Sequence, residues 1–268
     1  MPQIYEPQGK AREYSPLALN HIKGCDYGCL YCYVPKMISI YNKNYFHYIV
    51  DLRIDLKSIE LSAKKFEGCG KQILLNFISD PYNRQITHQT RDVLKILNKY
   101  NHLVAILTKA GEKVLNDLDV FKAFGNRIKI GSTLTFDNEH DSRYYEHGAA
   151  IPVERIEMLK SLKREGIKTW VSFEPVIIPK QTIHLIELAS FVDHVKIGKL
   201  NNYKNIDKRI DWSKFLNDAV NVCRKNRIKF YIKSDLQKYN SGTILSKNEI
   251  DQDYLNLKPD KKLQDELF

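Results

Sequence analysis

Seven short runs of apolar, mostly β-branched residues alternate along this 268-residue chain with stretches of helical spacing. The runs occupy residues 17–22, 72–78, 103–108, 127–135, 168–173, 194–197 and 228–233. They are nearly continuous in apolar residues, which is typical of parallel strands buried on both faces. Helical spacing marks 91–100 and 153–165 between them, and Gly166 ends the second of these helices as a C-terminal cap. The alternation predicts an α/β fold with a parallel sheet.

The number of strand–helix units predicts the architecture. Six units make a partial (β/α)6 barrel of the TIM type, and the run at 228–233 adds an extra C-terminal strand. We expect one barrel domain over residues 1–238. Residues 239–268 are polar and are expected to form a flexible C-terminal tail.

Polar residues follow five of the predicted strands. They are Ser79-Asp80-Pro81-Tyr82, Thr108-Lys109, Ser132, Thr133, Thr135 and Asp137, Glu174-Pro175, and Gly198-Lys199. In barrels of this kind the chemistry gathers at the C-terminal ends of the strands. We therefore expect these side chains to share one polar rim.

Three cysteines, Cys25, Cys29 and Cys32, lie within eight residues at the spacing C-x3-C-x2-C. Three thiolates on one tight loop can hold three corners of an iron–sulfur cluster and leave the fourth iron open for chemistry. A closed zinc site or buried thiols are the alternatives, and zinc requires a fourth ligand such as His21.

Composition and charge indicate in which cellular compartment the protein acts and what kind of partner it binds. The sequence has no apolar run near the ~20 residues that a membrane span needs. Cys69 and Cys223 are isolated in the sequence, which is typical of ordinary reduced thiols. We therefore expect a cytoplasmic protein. The net charge is +10, and residues 195–238 carry 12 Lys and Arg against 4 Asp. Charge concentrated in this way indicates nucleic acid, and the alternative is an ordinary solvated lysine-rich surface.

The cysteine motif after a predicted first strand resembles the radical S-adenosylmethionine (SAM) superfamily. Further segments resemble its spore photoproduct lyase-like group, often called DNA repair photolyases. They are residues 14–20, 79–82, 108–109, 146–150, 154–155 and 166–176, in a region of similarity over residues 5–235. The resemblance implies a radical SAM barrel.

The same resemblance implies a [4Fe–4S] cluster held by Cys25, Cys29 and Cys32, with SAM bound to the open iron. One electron from the reduced cluster would break a C–S bond of SAM. The 5′-deoxyadenosyl radical produced would then take a hydrogen atom from the substrate, while the protein binds and orients the reactants. An electron donor such as flavodoxin or ferredoxin is implied as a partner.

Three of the implied SAM contacts lie near the cysteines and after the second strand. Tyr31 takes the aromatic position that family members use beside the adenine. Ser79 and Asp80 take the position that contacts the SAM amino group, where a carboxylate suits an ammonium. A simple turn before Pro81 is the alternative for that pair.

The remaining implied contacts lie on later strands. Ser132 and Thr133 are candidates for the SAM ribose or carboxylate. Ile197-Gly198 resembles the stretch that runs along the adenine, where glycine permits close approach. Lys109 and Arg155 could neutralise a carboxylate or phosphate, or be ordinary solvated charges.

One departure from the group concerns the hydrogen donor. Spore photoproduct lyase uses a cysteine near its substrate, whereas neither Cys69 nor Cys223 follows the C-terminal end of a predicted strand. Thymine-dimer repair is therefore not favoured. Tyr27, Tyr82 and Tyr144 are candidates for the catalytic hydrogen donor.

The chain ends in Gln264-Asp265-Glu266-Leu267-Phe268 after a polar linker. This resembles the Gln-x-x-Leu-Phe peptide by which bacterial DNA-processing proteins dock on the replicative sliding clamp. Leu267 and Phe268 would fill an apolar pocket while Gln264 makes orienting hydrogen bonds. A chance match is the alternative.

These features predict a radical SAM enzyme that repairs or modifies DNA or a nucleotide. The first alternative is a radical SAM enzyme acting on a peptide or small metabolite, without affinity for DNA and with a salt-insensitive substrate interaction. The second is a non-enzymatic iron–sulfur or zinc-binding module.

Overall fold

The structure is a computed structural model that describes residues 3–37, 51–52, 55–85, 87–201 and 204–259. The peptide predicted to bind the sliding clamp, residues 264–268, lies outside these ranges, so it stays a prediction. Within the described ranges, no helix has the length and apolarity needed to cross a bilayer.

Ten strands form in the described ranges. They are β1 (Ile4–Tyr5), β2 (Leu17–Leu19), β3 (Ile22–Lys23), β4 (Asp51–Leu52), β5 (Gln72–Leu75), β6 (Leu103–Thr108), β7 (Ile128–Thr133), β8 (Lys168–Phe173), β9 (His194–Ile197) and β10 (Lys229–Ile232). Each of the seven predicted runs contains one strand of the main sheet, because each run is apolar enough to be buried on both faces.

Helices connect and cover the strands. The α-helices of the described chain are α1 (Val34–Met37), α2 (Leu56–Lys65), α3 (Thr87–Lys99), α4 (Leu118–Phe124), α5 (Glu139–Tyr145), α6 (Pro152–Arg164), α7 (Pro179–Leu188), α8 (Lys204–Asp207), α9 (Trp212–Lys225), α10 (Ser234–Gln237) and α11 (Lys247–Ile250). The two helices predicted from spacing, 91–100 and 153–165, correspond to α3 and α6. Gly166 follows α6 at a φ of 79°, which is the geometry of the predicted C-terminal cap.

The main sheet has eight strands in the order β1-β2-β5-β6-β7-β8-β9-β10. All neighbours from β2 to β10 pair in parallel, and β1 is an antiparallel edge strand on β2. The prediction of an α/β fold with a mostly parallel sheet, six strand–helix units and an extra C-terminal strand is confirmed. The edge strands β1 and β10 do not pair with each other in the described part of the chain.

β2 and β5 end well before their predicted limits because side-chain amides take over the hydrogen bonds of the backbone there. β2 ends at Leu19 and β5 at Leu75, each three residues before the predicted end. Asn76 then takes a φ of 56°, which leaves the extended region. Its Oδ1 accepts a hydrogen bond from the backbone N of His21 at 3.0 Å. The segments that follow β2 and β5 therefore leave the sheet and continue as loops at this end.

The segment 251–259 packs against the opposite end of the sheet. Lys129 near the start of β7 donates to the carbonyl of Leu255 at 2.7 Å, and Leu257 N donates to Gln72 Oε1 at 3.0 Å. Asp253 accepts two hydrogen bonds from Arg12, both at 2.7 Å. The sequence placed these residues in a flexible tail, whereas the structure packs the chain against the barrel as far as residue 259.

Lys196 of β9 lies buried and should make the stability of the protein rise with pH. Burial and the nearby Lys233 lower the pKa of Lys196 from its usual 10.5 to about 7. Above about pH 7 the unfolded chain retains a proton that the folded chain releases, so the free energy of unfolding increases towards higher pH. We expect the melting temperature to rise between about pH 7 and about pH 9.

Lys196→Met keeps a long side chain and removes the titrating ammonium, so it should flatten this rise in melting temperature. A wild-type pH dependence in the variant would show that another group is responsible.

Candidate functional site

A cavity of about 500 Å³ lies at the C-terminal ends of the parallel strands. It is lined by residues that follow six different strands of the main sheet, together with part of the N-terminal segment. Its polar lining consists of Lys10, Tyr14, Cys25, Cys29, Tyr31, Cys32, Tyr33, Asn76, Ser79, Asp80, Thr108, Lys109, Thr133, Glu174, Lys199, Asn201 and Lys233, with Tyr27 beside them. A concave site of this size can enclose a cofactor and part of a substrate.

The three motif cysteines all line this cavity. Cys32 N donates to the carbonyl of Cys29 at 3.0 Å, which tightens the second half of the loop. Gly28 between the first two cysteines has a φ of 60°, a conformation that other residues rarely adopt. The loop therefore turns sharply enough to place three thiols on one wall.

A second loop, residues 146–150, packs against the cysteine loop from behind. Gly148 N donates to the carbonyl of Tyr27 at 3.0 Å. A Cβ on Gly148 would come within 2.6 Å of the carbonyl oxygen of Asp26 and 2.7 Å of Tyr27 Cα, so only glycine fits here. On the same side, the His147 ring lies where a Cβ on Gly28 would stand. The backbone of the cysteine loop is thus held from outside the motif.

The chemistry of the thiols suits a cationic cluster. Burial raises the pKa of Cys29 to about 12, with Lys109 opposing this effect, and burial also raises the pKa values of Cys25 and Cys32. Without a metal these thiols stay protonated. Bound iron would displace their protons and neutralise the thiolates, so the donor set fits an iron–sulfur cluster.

The described residues do not favour the zinc alternative. No set of three or more His, Cys, Asp or Glu in the described ranges is arranged to hold a single metal ion. His21, the fourth ligand considered for zinc, is buried with its Nε2 3.1 Å from Thr90 Oγ1, and burial lowers its pKa to about 3. Thiols that each bind a different iron do not need to converge on one point.

Ser79 and Asp80 line the cavity as predicted and also join three loops. Asp80 Oδ1 accepts from Thr108 Oγ1 at 2.6 Å and from Tyr82 N at 2.8 Å, while Oδ2 accepts from Lys109 N at 2.8 Å. Ser79 Oγ donates to the carbonyl of Gly24. Burial raises the pKa of Asp80, and these hydrogen bonds oppose the rise. Their contact with SAM stays a prediction.

Of the other predicted SAM contacts, two line the cavity and three do not. Tyr31 and Thr133 line the cavity. Ser132 is buried and donates to the carbonyl of Thr108 at 2.9 Å, and Ile197 is buried in the apolar core. Gly198 makes room for a charged pair, because its Cβ would lie 2.9 Å from Glu174 Cδ. None of these last three is among the described residues that line the cavity.

Only one of the three candidate hydrogen donors reaches the cavity. Tyr27 lines it, with its hydroxyl donating to the carbonyl of Tyr82 at 2.6 Å. Tyr82 is buried outside the lining because its hydroxyl donates to Asp117 at 2.8 Å. Tyr144 lies on α5 with 65% of its surface exposed to solvent. The geometry therefore does not favour Tyr82 or Tyr144 as donors to a substrate in the cavity.

Arg155 does not present its charge to the cavity. Its Nη2 lies 2.5 Å from Glu146 Oε2, and both side chains are completely buried. Its other nitrogens donate to the carbonyls of Thr133 at 2.9 Å and Ala150 at 2.7 Å. The guanidinium is thus bonded within the protein, so Arg155 neither faces a ligand in the cavity nor is a solvated charge.

A group of charged and polar side chains centred on Glu174, which we call the Glu174 wall, was not predicted from the sequence. Lys233 Nζ and the Tyr14 hydroxyl donate to Glu174 Oε2 at 2.5 and 2.6 Å. Asn201 Nδ2 donates to Glu174 Oε1 at 3.2 Å, and Lys10 joins the group through Asn201. The position of Glu174 and Lys233 at strand ends was the available signal, but Lys10 and Tyr14 come from the N-terminal segment.

Comparison with known proteins gives relatives by sequence. The profile of the radical SAM superfamily matches residues 19–192. The uncharacterized protein MJ0683 of Methanocaldococcus jannaschii is 27% identical over 232 residues, which cover 78% of this chain and 86% of the relative. The uncharacterized protein ORF301 of Acidianus two-tailed virus is 24% identical over 175 residues, or 61% of this chain and 57% of the relative.

Solved structures give the same fold. A mutant of spore photoproduct lyase with bound AdoMet and dinucleoside spore photoproduct has a TM-score of 0.61 at 12% identity, covering 81% of this chain and 76% of that chain. SuiB of Streptococcus suis bound to S-adenosylmethionine has a TM-score of 0.63 at 13% identity, covering 85% of this chain and 53% of SuiB. Because the superfamily profile spans most of the barrel and the motif cysteines line its cavity, the chain belongs to the radical SAM superfamily, whose members use a [4Fe–4S] cluster and SAM.

Proposed function

We propose that this radical SAM enzyme acts on DNA or a nucleotide, in repair or modification of a base. The observation that carries this proposal is the charge of the cavity. Four lysines line it, Lys10, Lys109, Lys199 and Lys233, against two carboxylates. Both carboxylates already accept hydrogen bonds within the protein. Three of the lysines are also paired, Lys10 with Asp235, Lys199 with Asp207 and Lys233 with Glu174, which leaves Lys109 outside the ion pairs of the described residues. The balance favours an anionic ligand such as a phosphodiester.

The chain would bind and orient the reactants. Cys25, Cys29 and Cys32 would hold the cluster, which together with SAM supplies one-electron chemistry when bound. Leu74, Phe77 and other apolar side chains form the rest of the lining. These exclude water from the reacting groups, while the lysines and the Glu174 wall would hold the polar parts of the substrate.

The basic residues of the segment 195–238 lie in two different environments, near the cavity and on the exposed surface. Lys196 and Lys233 are buried, and Lys199 pairs with Asp207 at 2.6 Å beside the cavity. Other basic residues of this region are exposed on and after α9, among them Arg224, Lys225, Arg227 and Lys229. A polyanion could therefore bind in the cavity or on the exposed basic surface around α9, and a binding experiment must distinguish these two sites.

We expect the protein to bind single-stranded DNA with an affinity that falls as salt increases, because released counterions drive such binding. Lys10→Gln removes a cavity lysine that is half-exposed. It should weaken binding and reduce the slope of log affinity against log salt by about 1. Fluorescence anisotropy with a labelled oligonucleotide measures both quantities.

Lys225→Gln is the matched control, since it removes the same charge from exposed α9. A loss confined to Lys225→Gln would move the DNA site to α9. No salt-dependent binding in any variant would contradict a nucleic-acid substrate. An anaerobic assay with DNA, nucleotides and cell extract, read by mass spectrometry, then identifies the product.

A peptide or small-metabolite substrate is the second candidate. SuiB bound to its precursor peptide SuiA shares the fold with a TM-score of 0.63 at 13% identity. This candidate predicts no affinity for DNA and little dependence of substrate binding on salt. The proposed electron donor is compatible with either substrate, whereas the proposed sliding-clamp contact through residues 264–268 favours DNA.

A further inference from the structure

We propose that the buried Glu146–Arg155 pair is a positioning device for the Tyr31 side chain and through it sets the affinity of the cavity for SAM. The proposal rests on the cofactor of the superfamily and not on the nucleic-acid substrate. Tyr31 directly precedes the third cysteine and lines the cavity. Neither Glu146 nor Arg155 lines the cavity, so both would act on a bound cofactor through Tyr31.

Arg155 is fixed to the sheet and to the 146–150 loop at once. Its guanidinium donates to the carbonyl of Thr133 at the end of β7 and to the carbonyl of Ala150. The remaining nitrogen binds Glu146 Oε2 at 2.5 Å. A planar guanidinium with three such anchors has one orientation, and it holds the carboxylate in one place.

The second oxygen of Glu146 points to the cavity wall. Glu146 Oε1 accepts from the hydroxyl of Tyr31 and from Thr135 Oγ1 at 3.2 Å. Lys109 Nζ lies 5.5 Å from the centroid of the same tyrosine ring. The hydroxyl end of Tyr31 is therefore tied to a rigid buried group, while its ring forms part of the cavity.

The backbone of the cysteine loop has a separate support. Gly148 N donates to the carbonyl of Tyr27, and Leu30 N donates to the carbonyl of Tyr145 at 2.9 Å. These contacts do not involve the Tyr31 hydroxyl. Loss of the Glu146–Tyr31 hydrogen bond should therefore release the ring while leaving the three cysteines in place to assemble a cluster.

The first test is Tyr31→Phe, which keeps the ring and removes the hydroxyl. The dissociation constant for SAM is measured anaerobically on the cluster-loaded protein, from the change in the electron paramagnetic resonance spectrum of the reduced cluster. We expect about tenfold weaker SAM binding with unchanged iron content, and a modest fall in melting temperature because the buried Glu146 loses one of its hydrogen bonds. Wild-type affinity for SAM in Tyr31→Phe would overturn the proposal.

The second test couples the two residues. In Glu146→Gln the hydroxyl of Tyr31 loses its charged acceptor and keeps only neutral partners, the new amide and Thr135 Oγ1 at 3.2 Å. We expect part of the loss of SAM affinity seen in Tyr31→Phe, and no loss in the double variant beyond that of Tyr31→Phe. Additive losses would show that Glu146 acts by another route and would also overturn the proposal. If Glu146→Gln does not fold, Tyr31→Phe decides alone.

Tyr100→Phe is the matched control. The hydroxyl of Tyr100 also donates to a glutamate, Glu60 at 3.1 Å, but on the outer surface of the protein. Its substitution should leave the affinity for SAM unchanged. None of these measurements uses a substrate, so they stand whether or not the enzyme acts on nucleic acid.

Discussion

Cys29→Ala is expected to abolish both iron–sulfur cluster assembly and cleavage of SAM. Cys29 is the middle ligand of the loop and lines the cavity between the other two thiols in sequence. Alanine offers no donor to iron, and two thiolates do not hold a cluster of this type in place. Anaerobic reconstitution should give an absorption band near ~410 nm in the wild type and none in the variant.

Iron content and release of 5′-deoxyadenosine on reduction complete this measurement. Cys69→Ala is its control, because Cys69 is an exposed thiol remote in sequence from the motif. The control should retain the band, the iron and the cleavage of SAM. Continued SAM cleavage by Cys29→Ala would overturn the ligand assignment.

Arg155→Met should lower the stability of the protein by about 3–5 kcal/mol, since it leaves the Glu146 carboxylate buried without its cation. Both side chains of the pair are completely buried, so water does not screen the interaction. For a protein of this size the loss corresponds to a fall in melting temperature of roughly 6–20 °C. Thermal unfolding followed by circular dichroism measures it.

The loss caused by Arg155→Met should shrink at low pH. Burial already raises the pKa of Glu146, and Arg155 opposes that rise. In the variant the folded pKa of Glu146 rises further, so its destabilising contribution falls as the carboxylate becomes protonated. Lys122→Met, which breaks the exposed pair with Glu165, is the control and should change the melting temperature little. Equal melting temperatures for Arg155→Met and Lys122→Met would contradict the account of the buried pair.

The positions of the strands could be predicted because burial on both faces leaves a local signature. Residues 103–108, 168–173 and 194–197 form strands with the predicted limits. The ends of β2 and β5 could not be predicted in this way. There the chain leaves the sheet because Asn76 accepts a hydrogen bond from the backbone N of His21, which lies between β2 and β3, and such a contact has no periodic signature.

The cluster ligands were available from the sequence because three thiols on one loop must share one location whatever surrounds them. Tyr31, Ser79, Asp80 and Thr133 also reach the cavity as expected. Arg155 has neither of its two predicted roles, ligand neutralisation or a solvated charge, because the sequence does not show that a buried glutamate pairs with it. Tyr82 and Tyr144 were expected near the substrate, but one is buried on Asp117 and the other is exposed.

The sequence by itself determined the class of the fold and the chemistry of the motif, because strand periodicity and cysteine spacing are properties of neighbouring residues. Only the tertiary structure decided which charged side chains face the cavity and which are paired with one another inside the protein. The Glu174–Lys233 pair joins residues 59 positions apart, and Tyr14 reaches Glu174 across 160 positions. Such contacts exist only once the parallel strands lie side by side, because adjacency in a sheet places distant strand ends on one rim.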